Sequence, residues 1–107
     1  MAPIDHMKVV ACVTRAFNGE QDIEIKASHK KVNIYDVTVP TGGKAVSYEL
    51  QVNGRDIEMT IARKHFKLVK FDRWLSRLEF ELEQAFLANI RLEVKDSSPD
   101  YTISIFN

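Results

Sequence analysis

Three patterns in the sequence predict an α+β domain, in which an antiparallel sheet of about seven strands carries one amphipathic helix on one face in the order βββββαββ. Asn-Gly pairs at 18–19 and 53–54 mark tight reversals, because a two-residue hairpin turn needs backbone angles that Asn and Gly tolerate best. From Phe71 to Phe86 the apolar residues recur at helical spacing. Beyond the helix, two-residue alternation returns.

The chain opens without periodicity, and His6-Met7 is the dipeptide left by a common cloning site. Residues 1–7 are therefore expected to be disordered or cloning-derived, with a single domain over 8–107. Val9 to Val13 reads as a strand that is apolar on both faces. A turn at Asn18-Gly19 would pair Thr14 with Ile23, Cys12 with Ile25 and Val10 with Ala27, and set Arg15 opposite Asp22. Lys31 to Val39 reads as the next strand. Its apolar parity switches between Ile34 and Val37, which predicts a bulge near Tyr35-Asp36.

Pro40-Thr41-Gly42-Gly43 forms a turn. Its Gly-Gly-Lys ending is no phosphate loop, since the leading Gly is missing and Ala45 follows Lys44. About Asn53-Gly54, Val52 would face Arg55, Leu50 Ile57, Tyr48 Met59 and Val46 Ile61. The opposite face then collects Ser47, Glu49, Gln51, Asp56, Glu58 and Thr60, with Glu49 directly opposite Glu58.

The helix takes Asp72 as N-cap and Asn89 as a left-handed terminus, about 17 residues in all. Trp74, Leu75, Leu78, Leu82, Ala85 and Phe86 form its core stripe. Phe80 and Leu87 project the other way, among Arg73, Ser76, Arg77 and Gln84. Ile90 to Val94 and Tyr101 to Ile105 close the fold as a hairpin around a loop at Asp96 to Asp100.

The charge balance limits the functional classes. Fifteen Lys and Arg match fifteen Asp and Glu, so any electrostatic role is local. A lone Cys12 and the lack of a long apolar run or signal-type leader lead to the expectation of a cytoplasmic protein that does not enter a membrane. The three histidines are widely separated, so neither metal nor cofactor is expected. Cys12, placed on an apolar face, is expected to be an inert thiol. No spacing matches a catalytic constellation, and the chain is expected not to be an enzyme.

Two binding modes remain. The first is an inhibitor, immunity-like or adaptor protein that docks on another protein, a second copy of the chain included, through a sheet edge or the helix ridge of Arg73, Arg77, Phe80, Gln84 and Leu87. The second is binding of single-stranded nucleic acid by a strand segment carrying Arg63, Lys64, His65, Phe66, Lys67 and Lys70. Basic side chains neutralise phosphates and interleaved aromatics stack on bases. His29-Lys30-Lys31 is a smaller basic step that could join it.

Overall fold

A computed structural model describes residues 4–20, 22–29, 31–67, 69–87 and 90–106. Its elements are α1 (His6–Ala16), β1 (Glu24–Ala27), β2 (Ile34–Pro40), β3 (Ala45–Asn53), β4 (Asp56–Ala62), a 3-10 turn (Arg63–Phe66), α2 (Phe71–Phe86), β5 (Arg91–Ser97) and β6 (Asp100–Phe106). The class is α+β and every strand pairing is antiparallel. Among the described residues there are six strands and two helices, where the sequence predicts about seven and one.

The difference lies at the start, where the expected first strand is α1. Its β-branched residues favour a strand only weakly, and packing overrides that preference. Val9, Val10, Cys12, Val13, Thr14 and Ala16 are all buried, so apolarity on both strand faces is in fact one broad helical face. The Asp5 carboxylate accepts the Met7 N–H at 2.9 Å and caps the first turn. Ile4, just before it, is buried in the core, and the His6 ring stacks on Tyr35 at 4.9 Å.

Asn18-Gly19 makes no hairpin. Asn18 is left-handed at φ 54°, its N–H donates to Arg15 O, and the Gly19 N–H donates to Thr14 O. These two bonds are the Schellman closure of a helix. Arg15 accordingly meets Glu81, at 2.7 Å, and not Asp22.

The sheet order is β1-β2-β3-β4-β6-β5. β2 begins at Ile34, after an exposed Val32, and its ladder with β3 runs unbroken from Ile34–Gln51 to Pro40–Ala45, without the predicted bulge. The parity switch has another cause. Ile34 is buried but faces away from Val37 and Val39 and lies outside the main core cluster.

The expected β2–β3 turn is present but one residue later, at residues 41–44, because Pro40 still belongs to β2; φ is positive at Gly42 and Gly43, and the Thr41 N–H donates to Lys44 O. At the next reversal the turn is Gly54-Arg55, so Leu50 faces Met59, Tyr48 faces Ile61 and Val52 faces Ile57. Positive φ at Gly54 alone fits a type II′ turn. This register differs from the predicted one by two residues. A shift of two preserves the face of every side chain, so Leu50 and Ile57 still point into the core.

α2 starts one residue before Asp72, which lies in its first turn and is not the cap. It ends at Leu87, left-handed at φ 50°, and Asn89 lies outside the described residues. The helix then hands the chain to the edge strand β5, and β6 returns between β5 and β4. The closing turn is tighter than expected, at Ser98-Pro99, whose peptide is cis.

Both helices lie on one side of the sheet and run antiparallel, with Phe17 against Trp74 at one end and Lys8 over Phe86 at the other. Val9 and Val13 of α1, Trp74, Leu78 and Leu82 of α2, and Leu50, Met59 and Ile103 of the sheet share one cluster. Each such aliphatic side chain contributes about 1.5–3 kcal/mol by leaving water.

Candidate functional site

The basic run lies not on a strand but in the link from β4 to α2. The Arg63 N–H bonds Pro99 O at 3.0 Å, which fixes where the 3-10 turn leaves the sheet. The turn sends Phe66 inward, where its ring meets Phe17 at 5.7 Å, Trp74 at 5.0 Å, Phe71 at 5.0 Å and Tyr101 at 5.8 Å. Phe66 is thus an anchor, and Lys64 and Lys67 on either side of it are left exposed.

Three adjoining grooves surround this anchor. One, between the β2–β3 turn and the link, carries Lys44, Lys64, His65 and Lys67. A second is lined by Arg63, Lys70, Phe71, Asp72, Arg73 and Tyr101. The third, where α1 ends beside α2, carries Lys70, Arg73 and Arg77 around Phe17 and Trp74. Asp72 is the one acid in all three linings.

Lys44, Lys64, Lys67, Lys70, Arg73 and Arg77 make no ion pair among the described residues. Arg63 is held by both oxygens of Asp96 at 2.9 Å and lies over the Tyr101 ring at 4.8 Å. Tyr101 in turn stacks on Phe71 at 3.9 Å and 17°, and both rings are half-buried. Partial burial and the neighbouring Lys64 hold the His65 pKa below its ordinary range. The imidazole becomes a further cation of this end only in acid.

The ridge of α2 is exposed as predicted by its period. Arg73, Arg77, Phe80, Gln84 and Leu87 all face solvent, with Phe80 58% and Leu87 89% accessible. Its N-terminal half belongs to the basic grooves, so the two candidate surfaces merge at Arg73 and Arg77.

His29 and Lys31 do not join the cluster. They precede β2, near the Asn53 end of β3, whereas the grooves lie at its Ala45 end. Lys30 lies outside the described residues. Glu49 and Glu58 are also apart, since Glu49 faces Thr60 and Glu58 faces Gln51. Lys44, Arg73, Arg77 and Tyr101 are the members that reading the run alone misses. Tyr101 comes in because it pairs with Ile61, at the end of β4 where the link begins.

Cys12 is buried, and that burial raises its pKa. The Tyr48 hydroxyl and the Trp74 indole N–H are buried without a hydrogen-bond partner among the described residues. No group of three or more His, Cys, Asp or Glu side chains suited to a metal gathers among those residues. No described helix is long and apolar enough to cross a membrane. Comparison with protein-family models, curated protein sequences and solved structures finds no match for this chain.

Proposed function

We propose that the chain is a non-catalytic binding module whose basic end takes an anionic partner, single-stranded nucleic acid. The observation that carries this is the gathering of Lys44, Lys64, Lys67, Lys70, Arg73 and Arg77, none of them ion-paired among the described residues, around three grooves lined by one Asp, on a chain of zero net charge. Cations brought together from separate elements make a local field that the composition hides. Half-buried Phe71, in the lining of the second groove, is the ring beside them available to a base, and the uncapped N-terminus of α2 adds a partial positive charge.

Docking on another protein is the second reading, favoured by the exposed Phe80 and Leu87. One experiment separates the two. Anisotropy of a labelled single-stranded oligonucleotide is expected to show binding at about 50 mM salt that weakens with a log–log slope of about −0.7 per phosphate contacted. Replacing Lys64, Lys67 and Lys70 with Ala should flatten the slope by about 2. Phe80→Asp with Leu87→Asp should leave it unchanged. No binding at low salt, or binding insensitive to the three lysines, rejects the nucleic-acid proposal.

A further inference from the structure

We propose that β5 is the self-pairing edge of a two-fold dimer, in which two copies join antiparallel with Val94 on the axis and the two sheets fuse. This inference does not rest on the nucleic-acid reading, because no β5 residue lines the basic grooves.

β5 is the outer strand, seven residues long, with β6 on one side only. Its other side presents unpaired backbone groups, a template for a further strand. In an antiparallel pair, directly opposed residues share a face, so a two-fold perpendicular to the sheet must pass between like residues of the two copies. With Val94 on the axis, Glu93 faces the partner's Lys95, and by symmetry the reverse pair forms too.

The neighbouring registers fail. Centring on Glu93 sets Arg91 against the partner's Lys95, and centring on Lys95 sets two lysines against each other. Glu93 and Lys95 are exposed and make no ion pair among the described residues of one copy, so both are available. Val94, 37% exposed on the helix-bearing side, would be covered by its own counterpart. Val94 is the middle residue of β5, so this register pairs the whole strand with unlike charges opposed, while Lys95 repels a second strand in the two registers beside it.

The other edge lacks these features. β1 has four residues, and its Glu24 and Lys26 already pair with each other at 2.8 Å.

Sedimentation equilibrium tests the proposal through a charge exchange. The wild-type chain is expected to dimerise, and Glu93→Lys or Lys95→Glu alone should raise the dimer Kd about tenfold or more, because both symmetric pairs become repulsive. The double variant should restore it. Val94→Cys should give a disulfide-linked dimer under mild oxidation, while the wild-type chain, with Cys12 buried, should not. A wild-type chain monomeric at every concentration, or a dimer indifferent to the exchanges, would overturn the proposal. If a single exchange fails to fold, the double variant and the cross-link still decide.

Discussion

Leu87 ends α2 in the left-handed conformation, at φ 50°, with 89% of its surface in water. A residue with a β-carbon meets its own carbonyl there, and glycine does not. Leu87→Gly is therefore expected to raise stability by about 0.5–1 kcal/mol, read as a higher urea midpoint at unchanged slope. The sequence points to Asn89 for this role, since Asn adopts the conformation readily. The structure stops two residues sooner.

Among the elements, α1 depends on the closeness with which its end passes the β2–β3 hairpin. The Gly19 α-carbon lies where an added methyl would strike the Val39 side chain and press on Thr14 at 3.1 Å, while Glu20 N–H bonds Pro40 O. Gly19→Ala should cost about 1–3 kcal/mol through overpacking, measurable as a lower thermal midpoint. The same glycine shows why α1 is hard to read locally. Asn-Gly serves both a hairpin and a Schellman closure, and only the third dimension selects between them. The sheet faces of β3 and β4 were legible because parity survives a two-residue shift. The basic run was legible as composition, but Lys44, Arg73 and Arg77 reach it through tertiary packing that no window of sequence contains.

At the scale of the whole molecule, two buried acids and one histidine bound the pH range of full stability. Burial raises the pKa of Cys12 above its ordinary 9.0 and that of Tyr48 above its ordinary 10.0. The folded chain then holds protons that the unfolded chain has released, so stability should fall as pH rises past about 9. His65 is shifted the other way, below 6.5, so the unfolded chain binds the extra proton and stability should also decline as pH falls under 6.5. Urea titrations across pH should give a plateau between these limits, and Tyr48→Phe should lessen the alkaline loss. Both helices shelter the same side of the sheet, and this asymmetry extends to the history the sequence can have. Positions such as Ser47 and Glu49 fill no packed volume, and exchanges at such sites commonly change stability by less than about 0.5 kcal/mol. Drift or deliberate redesign can rewrite the exposed positions of that side, away from Ile34 and the β5 edge, at small cost, while the sheltered side holds the architecture constant.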